Sequence, residues 1–142
     1  MLERALFVTV LVAAVLVAAM LVRAIARRRV AAATGRSLPD ALRARFPRRG
    51  PGIVYFYGPH CGTCRQQAAI LDSLSRDDAI AVVRVDASSE AALAGALAVM
   101  TVPATVVVDG ALNVRAVNLG LRSRSALVSQ LRDFAALPAG AA

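Results

Sequence analysis

The chain contains no lysine and no tryptophan, and only two cysteines and one histidine among its 142 residues. With no lysine, every cation is an arginine; beside so much alanine this reads as compositional bias and carries no functional weight. Two cysteines, Cys61 and Cys64, exclude the densely cross-linked scaffold of a small secreted protein. They also leave a closed zinc site short, because about four ligands are needed. Cys61, Cys64 and the adjacent His60 supply only part of that set, so a metal would have to be clasped across two chains. A disulfide spanning two intervening residues closes almost no loop, so a purely structural role stabilises little. No internal repeat is present.

Charge is absent where apolar length is greatest. Ala5 to Val22 is a run of eighteen residues without a charge. As a helix it spans about 27 Å, close to the hydrocarbon thickness of a bilayer. A soluble helix of this composition has no polar face to show to water. A cleaved signal peptide is the alternative, with Ala24-Ile25-Ala26 as a cleavage site. Against it stand the length of the run and the arginines crowding the junction, Arg23, Arg27, Arg28 and Arg29. Residues 1–49 carry ten arginines against Glu3 and Asp40, whereas residues 50–142 carry seven arginines and seven acids. The net charge of +8 therefore lies wholly in the N-terminal third. An isoelectric point near 11.3 would suit nucleic-acid binding. Because the charge flanks an apolar helix, anionic lipid is the expected partner and nucleic acid is not. Positive flanks stay in the cytoplasm, so the bias expects the N-terminus outside and the rest of the chain on the cytoplasmic face, the exocytoplasmic face being the alternative. The span has no Gly-x-x-x-Gly and so no clear dimer signal.

Both cysteines fall in the stretch Tyr55 to Gln67, between an apolar run, Ile53 to Tyr57, and a helix-like run, Arg65 to Leu74. The pair thus sits where a strand turns into a helix. A helix N-terminus offers unpaired N–H groups and partial positive charge. A thiolate at Cys61 is favoured there, and the thiolate is the reactive form. The i, i+3 spacing puts Cys64 one turn below, with Cα atoms roughly 5 to 6 Å apart, within disulfide range. One exposed sulfur with a partner beneath it suits thiol–disulfide exchange.

The surrounding elements follow from periodicity and punctuation. Residues 1–29 form the anchor with its basic flank. Residues 30–49 form a juxtamembrane linker, in which Ser37-Leu38-Pro39-Asp40 resembles the start of a short helix to about Phe46. Residues 50–137 form the folded domain and residues 138–142 a tail. Within the domain, Ile53 to Tyr57 reads as a buried strand, Cys61 to Ser75 as a helix and Ala79 to Val85 as a strand. Ser88 and Ser89 are expected to cap a helix from Glu90 to Ala98. Ala104 to Val108 and Asn113 to Asn118 form a hairpin about Asp109-Gly110. Ser123 or Ser125 caps a last helix to about Leu137. This order implies an α/β fold: a mixed sheet of about four strands with helices on both faces.

The region from Ile53 to Leu137 resembles the thioredoxin-like superfamily. Three separated features carry the resemblance: the strand leading into Cys61-Gly62-Thr63-Cys64, Val102-Pro103-Ala104 before a strand, and Gly120 between the last strand and last helix, with Asp109-Gly110 in the hairpin. The resemblance implies a three-layer sandwich and a membrane-tethered oxidoreductase whose only redox group is the Cys61–Cys64 disulfide, with no other cofactor and no metal. It makes Cys61 the attacking thiol, Cys64 the resolving thiol and Pro103 a cis residue packed over the sulfurs. Val102 would pair its backbone with an extended substrate segment, and Gly62, Thr63 and His60 would border that substrate. The implied partners are protein thiols or disulfides and an upstream electron donor or acceptor. In a reducing compartment the net direction would be reduction.

Departures are as plain as matches. Gly62-Thr63 stands where thioredoxins have Gly-Pro, His60 where they have Trp, and Tyr55 where they bury an acid. The family's first strand is absent. The alternative function is a non-catalytic binding module of the same fold, or a metal-clasping dimer, at the membrane.

Overall fold

The computed structural model describes residues 2–47 and 50–135. The expected tail, and the end of the last helix at Leu137, lie outside the described residues. The chain opens with α1, Leu2–Ala33, whose apolar part is long enough to cross a membrane. The helix does not stop at its arginines. Arginine and alanine are both good helix formers, so nothing in Arg23–Ala33 ends it. The expected linker from residue 30 is therefore helical to Ala33, and Gly35, at φ 85°, then turns the chain.

The rest of that stretch is not a linker either. Gly35 N–H donates to Val114 O at 2.7 Å, Val114 N–H to Arg36 O at 2.9 Å, and Leu38 N–H to Leu112 O at 3.0 Å. These bonds lay residues 35–38 along the sheet edge. The short helix α2, Asp40–Arg43, follows, entered through Pro39 with no side-chain cap from Ser37. Leu38, Leu42 and Phe46 recur every four residues and all are buried in the domain core. The folded domain thus begins near residue 35 rather than 50.

Four strands form one sheet: β1 Gly52–Tyr57, β2 Ala81–Asp86, β3 Ala104–Val108 and β4 Val114–Leu119. Their order is β2-β1-β3-β4, with β1 parallel to β2 and antiparallel to β3, and β3 antiparallel to β4. Alternation along β1 sends Val54 and Phe56 to one face, Ile53 and Tyr55 to the other. The first face is covered by α2 and by α4, Ala91–Ala96. The second is covered by α3, Cys64–Asp77, and α5, Arg124–Ala135. This is a thioredoxin-like three-layer fold preceded by a long apolar helix. Among the described residues no strand pairs with the outer edge of β2, where the family's first strand would lie.

Smaller expectations shift for local reasons. Helix α4 begins at Ala91 behind Glu90, because Ser88 donates its hydroxyl and N–H to the Asp86 carboxylate and caps no helix. Ser123 is the residue that caps α5, accepting from Ala126 N–H at 3.3 Å. The hairpin loop runs over residues 109–113. Buried Asp109 takes N–H bonds from Ala111 and Asn113 and pairs with Arg115 at 2.7 Å. Burial opposes its ionisation, but the Asn113 N–H and the Arg115 guanidinium outweigh that and hold its pKa down.

Candidate functional site

The site lies at the carboxyl end of β1, where Tyr57-Gly58-Pro59-His60 leaves the sheet and α3 begins. Helix α3 starts at Cys64, not Cys61, because residues 61–63 form a turn closed by Cys64 N–H donating to Cys61 O at 3.2 Å. Cys61 therefore sits just before the helix, in front of its first unpaired N–H groups, where the partial positive charge favours a sulfur anion. The pair is joined as a disulfide, with Cα atoms 5.3 Å apart. Cys61 is half-buried and Cys64 is buried, so one sulfur is presented and the other lies beneath it. The Thr63 hydroxyl lies 3.9 Å from Cys61 Sγ.

A second loop meets the first. Ala104 is in register with Phe56, so the residues before it face the end of β1 where the cysteines emerge. The Val102–Pro103 bond is cis and Pro103 is buried. Val102 Cγ2 would come within 3.2 Å of a Cβ placed on Gly58, so the two loops are stacked and a larger residue at position 58 would have to push the Val102 side chain aside. Neither backbone group of Val102 makes a hydrogen bond among the described residues. The N–H and C=O are thus available for an incoming extended segment. The loop after β4 completes the rim: Gly120 N–H donates to Pro103 O at 2.8 Å. Buried Gln67, three residues after Cys64, accepts from Arg122 N–H at 2.7 Å and donates to Arg122 O at 3.3 Å. Leu121, apolar yet exposed, follows Gly120 on this rim.

The sequence-predicted residues Cys61, Cys64, Gly62, Thr63, His60, Val102 and Pro103 therefore fall on two adjoining loops. Gly62, Thr63 and His60 are exposed. Among the described residues no three His, Cys, Asp or Glu side chains gather as a metal site.

Four side chains contribute through contacts the sequence did not show. The Tyr55 hydroxyl, in the place of the missing acid, donates to Cys64 O at 2.7 Å and ties the base of the second cysteine to β1. Burial raises the Tyr55 pKa, against the pull of the Arg84 charge, so the phenol keeps its proton and acts as a donor. Gln67 carries no local motif that announces its reach to a loop 55 residues away. Arg65 and Arg84 converge beside the disulfide only because β2 lies next to β1.

Comparison with known proteins agrees with this geometry. A sequence model of the family described as thioredoxin matches residues 40–133. Among solved structures, a mutant thioredoxin from Halobacterium salinarum superposes with a TM-score of 0.58 at 25% identity, covering 63% of this chain and 78% of that one. Mitochondrial thioredoxin 3 from Saccharomyces cerevisiae, in its oxidised form, gives 0.58 at 19% identity, covering 66% of this chain and 88% of the other. The arrangement of fold and cysteine pair supports thiol–disulfide chemistry.

Proposed function

Because this chain belongs to the thioredoxin family, we propose that it is a membrane-tethered thiol–disulfide oxidoreductase acting on protein substrates through Cys61 and Cys64. The observation that carries this reading is the asymmetric disulfide at the start of α3, beside a Val102 backbone with unused hydrogen-bonding groups. In the reduced protein the Cys61 thiolate attacks a substrate disulfide. A Cys61–substrate mixed disulfide forms, and the substrate's other sulfur leaves as a thiolate. Cys64 then attacks Cys61 Sγ, restores the bond seen here and releases the second substrate sulfur. Each cycle moves two electrons from protein to substrate, and an upstream donor must return them. The Val102 N–H and C=O hold the substrate strand to strand, while Gly62, Thr63 and His60 form its border. Helix α1 is the membrane anchor, its arginine flank meets anionic lipid, and the domain lies on the cytoplasmic side.

The test is a redox titration of the full chain in detergent, followed by an exchange assay. A reversible two-electron couple is expected at Cys61–Cys64. Cys61→Ser should fall to the uncatalysed background, and Cys64→Ser should trap substrate as a mixed disulfide on Cys61. No measurable couple, or full exchange activity in Cys61→Ser, would sink the proposal.

A further inference from the structure

The disulfide can be approached from two sides. One is the Val102–Pro103 side, described above. The other, on the β2 side of β1, is a cavity of about 680 Å³ to which neither Val102 nor Pro103 contributes. Its walls include both tyrosines of the chain, its one histidine, Arg65, Arg84 and Cys61. The Tyr55 and Tyr57 rings lie 5.9 Å apart and give it an apolar floor. No carboxylate lines it. Asp72 holds Arg84 from outside the cavity, but the side chains of Arg65 and His60 make no hydrogen bond or ion pair among the described residues. The space is of small-ligand size, Val102 lies outside its lining, and Arg65 and Arg84 are the arginines that border it.

Resting on the oxidoreductase reading, we propose that this cavity admits a small carboxylate-bearing thiol, which reduces the Cys61–Cys64 disulfide from the side opposite the protein substrate. The ligand carboxylate pairs with Arg65 and Arg84, while its sulfur reaches Cys61. The ligand thiolate bonds to Cys61 Sγ as the Cys61–Cys64 bond breaks, and the departing Cys64 thiolate takes up a proton. A second ligand thiolate then attacks the ligand sulfur of that mixed disulfide. Cys61 leaves as a thiolate, and the small molecule departs as its own disulfide. Two ligand thiolates are oxidised to one disulfide, and the protein gains two electrons and, at Cys64, one proton. The upstream donor is thereby identified by class, and its entry does not compete with substrate at Val102.

The experiment follows reduction of the oxidised full chain in detergent at low salt, using 3-mercaptopropionate and neutral 2-mercaptoethanol, with rates expressed per thiolate. The anionic thiol is expected to be up to about fivefold faster, as one or two solvent-exposed charge contacts allow. The preference should vanish in the Arg65→Gln/Arg84→Gln protein and weaken in Arg65→Gln alone. In each case the preference is read as the ratio of the two rates, because both thiols attack as thiolates, and a circular-dichroism spectrum matching that of the unaltered chain shows that the variant is folded. Arg132→Gln, on α5 and outside the cavity, should retain the preference. No preference in the unaltered chain overturns the proposal; so does a preference that survives the double substitution or is lost equally in Arg132→Gln. A disulfide that neither thiol reduces would instead remove the oxidoreductase reading on which the proposal rests.

Discussion

Tyr55 shows how one side chain changes the chemistry open to this site. A buried carboxylate at that position could receive the proton of the Cys64 thiol during resolution. A phenol whose pKa is raised by burial cannot accept it and instead donates to the Cys64 carbonyl. The proton must therefore leave through solvent. Tyr55→Phe removes the hydroxyl and leaves the ring's packing in place. It should cost about 1–3 kcal/mol of stability, the range for one buried hydrogen bond whose acceptor stays behind. Denaturant unfolding of the full chain in detergent would measure this. The rate at which substrate leaves the mixed disulfide should be nearly unaltered. A large slowing would show that the phenol does take part in proton transfer. The position was legible in the sequence as a departure from the family pattern. Its partner was not, because a bond from a strand side chain to a helix carbonyl depends on how the helix docks. The cysteines and Val102-Pro103 were legible because local spacing and a strand boundary are enough to mark them. Gln67 was not, since only the folded loop reveals what it holds.

At the scale of elements, the segment from Gly35 to Phe46 was the part of the fold read least well. Leu38, Leu42 and Phe46 keep a four-residue spacing, which is a helical signal. Pro39 and the charged residues between them dilute it, and the regular helix is only four residues long. Tertiary burial, not propensity, fixes the segment. Phe46 rests against Gly52, where an added Cβ would meet its ring, and Arg45 pairs with Glu90 across the same face. The pair is exposed and contributes little; the three apolar side chains contribute most. Deleting one such buried side chain typically costs about 2–5 kcal/mol, against a whole-domain stability of about 5–15 kcal/mol. A chain begun at Thr34 should therefore fold and unfold cooperatively without α1. A chain begun at Gly50 should lack a cooperative transition. Thermal melts followed by circular dichroism distinguish the two. A cooperative melt from the shorter chain would return the boundary to residue 50.

On the scale of the whole molecule, α1 is a candidate membrane span, and on the proposed reading it orients the site relative to the membrane. At about 100° per residue, Arg23, Arg27, Arg28 and Arg29 spread round the helix rather than along one side. All four are exposed. No face of the helix at this level suits hydrocarbon, so the apolar span must end by Val22. From there the helix continues for about 16 Å, to Ala33, before the chain turns at Gly35 onto the start of β4. Val114 is in register with Val108, and Val108 with Gly52, so this junction lies at the end of the sheet opposite the cysteines, about 17 Å away along the strands. The arginine collar favours a domain at the cytoplasmic surface, with the last turns of α1 packed beside β4 and residues 95–100 rather than standing free. Cys61 and Cys64 are the only thiols in the chain, so their side can be read directly. Intact cells are treated with a permeant reductant and then with an impermeant maleimide. Labelling is expected only after lysis. Labelling of intact cells would place the domain outside. The arginine bias would then have been overridden by the rest of the chain, and the net direction of exchange would more reasonably be disulfide formation than reduction, because an oxidising compartment favours the bonded pair.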